Sequence, residues 1–376
     1  MSVGGVLGGL FNAIVAPALF NNVVEYPVVL VASVATLPLA AFGRRKAAFA
    51  LGAMLLVGSW TWMVFSHDPS MSTTFFAALV PVVLAGIFWR PAVLRFGVPV
   101  TFVVLWVAVS QHSREVLFED RGYFGVSTVV HDTQNNVHLL YHGTTNHGGQ
   151  SQNPKYSRWM VPYHYPGSPI GQAWKSVTAR KQNFEVAALG LGSGGLACMA
   201  APGEHVVFYE IDPVVQTLAT DPSLFTFLRD CPADIVMGDG RLMVAAEPAG
   251  RFGLMVVDVF GSDALPVHLF TREAIEVYAQ KMTPDGLIVF HISSRFVDMT
   301  PMLAAIADQM GWQWRVQNHV PNPLPGVPLE PTRGFVMAPT VEALGGLATD
   351  PRWAAPPARV DVWTDQRADL FSVMTF

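Results

Sequence analysis

Residues 187–212, AALGLGSGGLACMAAPGEHVVFYEID, decide the fold of this chain. A short apolar run ends in a glycine-rich turn over residues 190–195, and a helix of small residues is predicted to follow. A second apolar run, residues 206–209, ends in Glu210 and, two residues on, Asp212. Glycines after a strand let the backbone approach a ligand, and an acid about twenty residues later suits the two hydroxyls of a ribose. The stretch therefore predicts a site for a nucleoside cofactor.

Strands and helices alternate through the next hundred residues. Three more short apolar runs follow, at residues 233–237, 254–257 and 286–290. A helix is predicted over residues 271–281, before the last of them. This alternation predicts a mostly parallel sheet with helices on both faces, and such sheets bind ligands at the carboxyl ends of their strands. Glu210, Asp239 and Asp258 each lie at or just after the end of a predicted strand, which favours a binding site over solvated loop charges.

The order of these motifs resembles the spermidine synthase family, and within it the membrane-fused, spermidine synthase-like proteins of bacteria. The matching segments are YFGVSTV, HGTTNHGGQ, GLGSGGLA, FYEIDP, GDGRL, VVDVF, PVHLFTREAIEVYAQKMTPDGLIVFHIS and VWTDQRADLF. The resemblance covers residues 116–376. It implies a small N-terminal β-domain and a doubly wound, methyltransferase-like (Rossmann-type) α/β domain. It also implies decarboxylated S-adenosylmethionine as cofactor, transfer of its aminopropyl group to an amine, and methylthioadenosine as product.

The resemblance also assigns cofactor contacts to residues near the strand ends. Glu210 would accept hydrogen bonds from both ribose hydroxyls, and Asp239 would accept one from the adenine amino group. Gln150 takes the position of a glutamine that contacts the nucleoside in the family. The predicted cofactor-binding residues are Gln150, Gly190, Gly192, Ser193, Gly194, Glu210, Ile211, Asp239, Gly240 and Asp258.

Three residues are predicted to be catalytic. Asp258 matches the first acid of the family's catalytic strand-end motif and is predicted to take a proton from the attacking amine. Asp263 is the candidate for the second acid of that motif. Tyr163 and Tyr165 are predicted to line the acceptor site or to orient an amine, and packing between the two domains is an equally good explanation for each.

The chain departs from the family pattern in two places. No Asp or Glu occurs between Asp132 and Glu185, where polyamine-using members carry acids that a polycation needs. Ser193 stands where those members have an acid that suits the free ammonium group of the decarboxylated cofactor. Intact S-adenosylmethionine, which keeps its carboxylate, would be repelled less by a hydroxyl. The acceptor and the form of the cofactor therefore stay open.

Three hypotheses about function follow. The first is a membrane-anchored aminopropyl-type transferase that uses S-adenosylmethionine or its decarboxylated form, with a small-molecule amine or a membrane-resident acceptor. The second is an enzyme that cleaves or cyclises S-adenosylmethionine and releases methylthioadenosine without an acceptor. The third is a non-catalytic, membrane-coupled cofactor sensor. A homodimer is left open.

The remaining local patterns concern a hairpin, histidines and cysteines. Two runs of β-forming residues, 123–130 and 137–141, flank the turn residues 132–136 and predict a β-hairpin. His142, His147 and His164 fit no common zinc spacing, so no metal is predicted. Cys198 and Cys231 lie apart without CxxC spacing, which predicts no disulfide framework and a core position for Cys198.

The first 110 residues differ in composition from the rest. The whole chain of 376 residues is 51% hydrophobic and 14% charged, against about 25% charged residues in an average soluble domain. Five apolar stretches run over residues 6–20, 28–42, 47–65, 75–89 and 98–109. Each is near or below the lower limit for a spanning helix, but their succession predicts an α-helical membrane bundle. Charges are nearly absent inside the stretches, which disfavours transport.

The predicted domains are a transmembrane helical domain at 1–112, a small β-hairpin domain at 113–172 and the nucleoside-binding catalytic domain at 173–376. An integral protein of the bacterial inner membrane follows from this division, with the lipid bilayer as a partner. The basic links at 44–46 and 90–95 would put the catalytic domain outside the cell by the positive-inside rule. Cofactor supply favours the cytoplasm, where we place it. The net charge of −5, without a basic stripe, argues against nucleic acid.

Overall fold

The computed structural model describes residues 3–20, 115–143, 145–259, 265–294, 296–356 and 360–375. Contacts divide the chain into two units, residues 1–115 and residues 116–376. In the first unit, three short segments follow one another: α1 (Val3–Leu10), a π-helical turn (Phe11–Val15) and α2 (Ala16–Leu19).

The helical membrane bundle predicted for residues 1–112 is wrong for the part of the chain that the structure describes. Among those residues, no helix combines the length and the apolar character needed to cross a membrane. The three segments at the N-terminus cover residues 3–19. At about 1.5 Å per residue they are shorter than the roughly 30 Å hydrocarbon core of a bilayer. The predicted integral membrane localisation depended on this bundle and is corrected with it. The prediction of the lipid bilayer as a partner is corrected for the same reason. The other four apolar stretches lie outside the described residues.

The second unit begins with a five-stranded sheet. Its strands are β1 (Glu115–Gly122), β2 (Gly125–Asp132), β3 (Val137–His142), β4 (Thr145–Ser151) and β5 (Met160–Val161), paired in chain order. The predicted hairpin is confirmed as β2 and β3, which pair antiparallel with Asp132 opposite Val137. The Asp132 carboxylate accepts hydrogen bonds from the backbone N–H groups of Gln134 and Asn135, which closes the turn.

A seven-stranded sheet forms the rest of the unit. Its strands are β6 (Glu185–Leu189), β7 (His205–Glu210), β8 (Asp234–Met237), β9 (Phe252–Val257), β10 (Met282–His291), β11 (Gln313–His319) and β12 (Thr332–Ala338). They lie in the order β11-β12-β10-β9-β6-β7-β8. Strands β6 to β10 are parallel, and β12 pairs antiparallel with β10 and β11. The predicted methyltransferase-like α/β sheet is therefore confirmed, and its strand order reverses between β6 and β9.

Helices cover both faces of this sheet. They are α3 (Pro169–Thr178), α4 (Pro213–Thr220), α5 (Phe227–Asp230), α6 (Gly240–Ala246), α7 (Arg272–Lys281), α8 (Thr300–Gln309) and α9 (Val341–Leu344). Short 3-10 segments occur at Gly195–Met199, Val267–Leu269, Gly345–Ala348 and Leu370–Val373. Helix α7 is the helix predicted over 271–281, and it begins where the Thr271 side chain accepts a hydrogen bond from the Ala274 N–H.

The apolar runs in the sequence predict strands correctly because, in the fold, both faces of these strands are buried. Val186 and Ala188 of β6 pack into one core, with residues of α3, whereas Ala187 and Leu189 pack into a second core, with residues of α7 and α8. Successive side chains of a strand point to opposite faces, so a strand covered by helices on both sides is apolar at every position.

The prediction that the cysteines form no disulfide is wrong. Cys198 and Cys231 are joined, with their Cα atoms 5.2 Å apart. Cys198 lies in the 3-10 segment after the glycine-rich turn, and Cys231 follows directly after α5. These two short segments pack side by side, so tertiary structure brings together residues that are 33 positions apart in the chain.

The disulfide gives a prediction about stability. Closing a loop across a sequence separation of 33 residues stabilises a folded chain by roughly 3–4 kcal/mol, because it restricts the unfolded ensemble. We expect the double variant Cys198→Ser, Cys231→Ser to lose about this much free energy of unfolding in urea titrations without reductant. Reduced wild-type protein is the control and should lose a similar amount. Two free thiols in the unfolded, unreduced protein would contradict the assignment.

Candidate functional site

A close approach between two strand ends forms the centre of the site. Gly190 follows β6 with φ of +91°, and a Cβ built on it would lie 2.1 Å from the backbone oxygen of Asp258. The Asp258 N–H donates to the Leu189 oxygen at 3.0 Å. Only glycine allows this contact, which brings the glycine-rich turn against Asp258 where the strand order reverses.

The element after the glycine-rich turn is shorter than the helix predicted from the sequence. Gly192 and Gly194 also have positive φ, and the element after them is the five-residue 3-10 segment Gly195–Met199. Between these glycines, Ser193 is fully buried, and its Oγ finds no hydrogen-bond partner in the described part of the chain. A buried hydroxyl without a partner is unfavourable.

Glu210 ties the end of β7 to the glycine-rich turn. Its buried carboxylate accepts hydrogen bonds from the N–H of Leu191 at 2.9 Å through Oε2, and from those of Ile211 and Asp212 at 2.8 Å through Oε1. Burial raises the pKa of Glu210, and the three hydrogen bonds oppose that rise. A carboxylate oxygen accepts more than one hydrogen bond, so the ribose contact predicted for Glu210 is compatible with this arrangement. The Ile211 side chain beside it is exposed.

Asp239 and Gly240 lie at the end of the neighbouring strand, β8. The Asp239 side chain accepts from the Leu242 N–H at 3.0 Å at the start of α6, of which Gly240 is the first residue. Its other oxygen lies 2.9 Å from Nε2 of His268. The Gly238 N–H donates to the backbone oxygen of Glu210 at 2.7 Å, so the ends of β7 and β8 are joined.

The side-chain amide of Gln150 makes hydrogen bonds within the protein. This buried residue of β4 donates from Nε2 to the Ser157 oxygen at 2.7 Å and to Thr226 Oγ1 at 2.9 Å. Its Oε1 accepts from the Thr226 N–H at 2.8 Å. The amide thus joins the small sheet to the segment before α5, and its nucleoside contact stays a prediction.

Histidines surround the carboxylate of Asp258. Asp258 Oδ2 lies 2.6 Å from Nε2 of His164, a buried residue in the loop after β5. The ring of His291, the last residue of β10, is nearly perpendicular to that of His164 at a centroid distance of 5.0 Å. One nitrogen or oxygen atom from each of the three side chains lies within 4.8 Å of the other two.

The pKa values of Asp258 and of the histidines around it depend on one another. Burial acts to raise the pKa of Asp258. The positive charges that His291, His164 and His147 carry when protonated, together with the hydrogen bond from His164, act against it and hold that pKa well below its usual range. Burial lowers the pKa of His291 and of His147 to about 4, against the attraction of Asp258. At neutral pH the cluster therefore presents an ionised carboxylate beside the neutral imidazoles of these two histidines.

Only one of the two predicted tyrosines lies in this cluster. The ring centroid of Tyr163 is 5.6 Å from that of His291 and 6.2 Å from that of His164. The side chain of Tyr165 is buried elsewhere: its ring stacks on Trp159 at 5.8 Å, its hydroxyl bonds to His319, and burial raises its pKa to about 12. Asp263 lies outside the described residues.

His291 was missed in the sequence. It directly follows the predicted strand 286–290, in the same relation to its strand as Asp258 has to β9. The position after a parallel strand was the signal that could have identified it. His164 was noticed only for its spacing from other histidines, which carries no information about a partner far away in the chain.

No protein-family model matches the chain. Among curated proteins, it is similar to a polyamine aminopropyltransferase from Vibrio vulnificus (strain CMCP6), with 28% identity over 143 residues. The match covers 37% of this chain and 45% of that protein, so it spans less than half of the relative's length. The prediction of a spermidine synthase-like protein is confirmed by this similarity, and the membrane fusion included in it is not shown.

Two solved structures are also similar. A probable spermidine synthase from Corynebacterium glutamicum ATCC 13032 gives a TM-score of 0.45 at 14% identity, covering 68% of this chain and 98% of that one. A spermidine synthase from Thermotoga maritima gives a TM-score of 0.45 at 12% identity, with 67% and 82% covered.

The pKa of His291 predicts a pH dependence of stability. Because this pKa is about 4 in the folded protein, against an ordinary value of 6.5, the unfolded chain binds more protons between these values. The free energy of unfolding should therefore fall as the pH drops from about 6.5 towards 4. We expect His291→Gln to lose less stability over this interval than the wild type, as measured by urea unfolding at several pH values.

The control for this measurement is His205→Gln, which changes an exposed imidazole at the start of β7, at the opposite end of the strand from Glu210. It should keep the pH dependence of the wild type. An unchanged pH dependence in His291→Gln would contradict the prediction.

Proposed function

We propose that residues 116–376 transfer an aminopropyl-type group from a sulfonium nucleoside to an amine. The observation that carries the proposal is the contact between the glycine-rich turn and Asp258, with an ionised carboxylate beside the turn. A cofactor held on the turn would have its reactive carbon next to the Asp258 carboxylate. The similarity to a protein named polyamine aminopropyltransferase supports the same class of reaction.

The chemistry is a displacement at the carbon bound to the sulfonium. The amine nitrogen forms a bond to this carbon, the carbon–sulfur bond breaks, and sulfur keeps the electron pair, so that its positive charge disappears. The protein contributes by holding nucleophile and carbon in line. The amine attacks in its neutral form, because an ammonium nitrogen has no lone pair. The Asp258 carboxylate orients this amine and accepts the proton that the nitrogen releases as the new carbon–nitrogen bond forms.

The nucleoside would be recognised at the ends of β6, β7 and β8. Glu210 is buried and fixed by three backbone hydrogen bonds, so its carboxylate is positioned before a ribose arrives. The exposed side chain of Ile211 offers an apolar surface beside it for the adenine ring. Asp239, one strand further along, supplies an acceptor for the adenine amino group.

The acceptor proposed for this site is a small amine with a single amino group, which lies at Asp258. A polycation needs several carboxylates, and the chain has no Asp or Glu between residues 132 and 185, the segment that contributes Tyr163 and His164. Imidazole and phenol rings surround Asp258 instead. Such rings stabilise the body of a small amine and add no negative charge.

The cofactor is S-adenosylmethionine or its decarboxylated form. Ser193 supplies no negative charge for the ammonium group of the decarboxylated cofactor, and its buried hydroxyl is without a partner in the described part of the chain. Intact S-adenosylmethionine, which keeps its carboxylate, is repelled less by a hydroxyl than by an acid at this position. The use of the decarboxylated form is supported by the name of the curated relative.

Mass spectrometry of the products tests the proposal. The full chain is incubated with each cofactor form, with no amine, with a monoamine and with putrescine. Transfer is supported by an amine that gains an aminopropyl group from the decarboxylated cofactor or a 3-amino-3-carboxypropyl group from the intact cofactor. Methylthioadenosine formed without an amine would contradict transfer and indicate that the enzyme cleaves or cyclises the cofactor. Cofactor that binds but stays unchanged would also contradict transfer and indicate a sensor.

Asp258→Asn should abolish transfer while leaving methylthioadenosine binding nearly unchanged. The amide keeps the size of the side chain but accepts no proton and carries no charge. Turnover is measured by product mass and binding by calorimetry. Asp285→Asn, at an exposed carboxylate of a turn within β10, is the matched control and should turn over like the wild type. Unchanged turnover in Asp258→Asn would refute the assignment of the base.

Glu210→Ala should weaken methylthioadenosine binding at least about tenfold, because each charge-assisted hydrogen bond to a ribose hydroxyl contributes roughly 1.5–3 kcal/mol. Calorimetry measures the affinity. Glu342→Ala, which removes an exposed carboxylate from α9, is the control. Thermal unfolding of Glu210→Ala shows whether the three lost backbone contacts also affect folding, and the folded Glu210→Gln variant then isolates the loss of charge. Equal affinity in both Glu210 variants would mean that the nucleoside binds elsewhere.

A further inference from the structure

The histidine cluster has a second chemical capacity besides holding a charge. His164, Asp258 and His291 come from three separate parts of the chain: the loop after β5, the end of β9 and the end of β10. One atom that can ligate a metal from each side chain lies within 4.8 Å of the other two. Both histidines are buried, and the Asp258 side chain is 23% exposed, which leaves the cluster open on one side.

We propose that His164, Asp258 and His291 bind one divalent transition-metal ion. Two imidazoles and one carboxylate form a ligand set typical of zinc and of ferrous iron, with one or more coordination positions left for water or substrate. Calcium and magnesium prefer oxygen ligands and are excluded by the two imidazoles. Both cysteines of the chain are in the disulfide, so no thiolate competes for the ion.

The surroundings of His291 agree with a ligand role. Its Nδ1 lies 3.4 Å from Thr332 Oγ1, which leaves Nε2 as the atom we assign to the metal. The Thr332 hydroxyl is in turn 3.1 Å from that of Ser293. Hydrogen bonds from the second ring nitrogen to a neighbouring group commonly orient metal-binding histidines.

The backbone holds the three ligands in place. His291 is paired with Gly334 in the antiparallel ladder of β10 and β12, and the Asp258 N–H donates to the Leu189 oxygen. The His164 N–H donates to the Met160 oxygen at 2.9 Å. Three ligands on elements fixed by main-chain hydrogen bonds lose little freedom when an ion binds.

Binding an ion would replace one hydrogen bond. His164 Nε2 and Asp258 Oδ2 are 2.6 Å apart. Two ligands of a tetrahedral ion at about 2.0 Å lie roughly 3.3 Å from each other. The pair would therefore open by a fraction of an ångström, through side-chain rotation, and the proton between them would move to His164 Nδ1 or to solvent.

The metal proposal does not rest on the transferase proposal, although both use Asp258. An ion ligated by this carboxylate would occupy the place of the acceptor amine. Because activity would then report on both proposals at once, direct binding is the measurement that separates them.

Cobalt is the probe, because its visible absorption reports nitrogen and oxygen ligation. The full chain is freed of metal with a chelator and titrated with Co²⁺, and Zn²⁺ is then added as competitor. We expect one Co²⁺ per chain, displaced by Zn²⁺. His164→Ala and His291→Ala should each lower the affinity for Co²⁺ at least tenfold. The control His205→Ala, at an exposed histidine paired with Asp234, should bind like the wild type.

His291→Gln, which keeps most of the side-chain volume, covers the case in which an alanine variant fails to fold, and circular dichroism identifies that case. The proposal is overturned if the wild type shows no saturable binding of Co²⁺ or Zn²⁺ at micromolar concentrations. Folded His164 or His291 variants that bind like the wild type would overturn it as well.

Discussion

The whole site depends on the contact between Gly190 and the backbone oxygen of Asp258. A Cβ at residue 190 would lie 2.1 Å from that oxygen, so the ends of β6 and β9 meet only because the residue is glycine. The strand order reverses between these two strands, which opens a crevice at their carboxyl ends. Glu210 reaches the same turn through the Leu191 N–H. One main-chain contact therefore sets the distance between the group that would hold a nucleoside and the carboxylate that would act on an amine.

Charge is the second constraint, and it is concentrated in one carboxylate. Asp258 is ionised, while burial keeps His147 and His291 neutral at neutral pH. A negative charge beside the neutral imidazoles of His147 and His291 attracts either an ammonium group or a metal cation. The proposed acceptor amine and the proposed metal ion therefore compete for the same group. The segment between Asp132 and Glu185 contains no Asp or Glu, so it supplies no second carboxylate that could separate the two roles.

The sequence predicted the parts of the fold in which each strand is buried on both faces. Strands β6, β7 and β9 and residues 286–290 of β10 are buried at successive positions, and strand ends carry the residues that approach the site. Both could therefore be found from local patterns. Pairs formed by tertiary packing could not: the Cys198–Cys231 disulfide and the meeting of His164 with His291 join segments whose separation in the chain carries no signal. The N-terminal stretch was misread because apolar composition alone does not determine helix length. Its described helical part ends at Leu19, after which the backbone of Phe20 is extended.

The segment between α4 and α5 shows a second contribution of the small sheet to the site, besides the effect of His147 of β4 on the pKa of Asp258. Gln150 binds both the N–H and the hydroxyl of Thr226, and His138 Nδ1 lies 2.8 Å from the Leu224 oxygen. From the other side, the disulfide joins Cys231 to the 3-10 segment that follows the glycine-rich turn. The stretch from residue 221 to Cys231, which consists of this segment and α5, is thus fixed to the small sheet at one end. At its other end the disulfide joins it to the 3-10 segment that follows the turn. A change in β3 or β4 would therefore move the turn that is proposed to carry the cofactor, even where no side chain of the small sheet contacts the nucleoside.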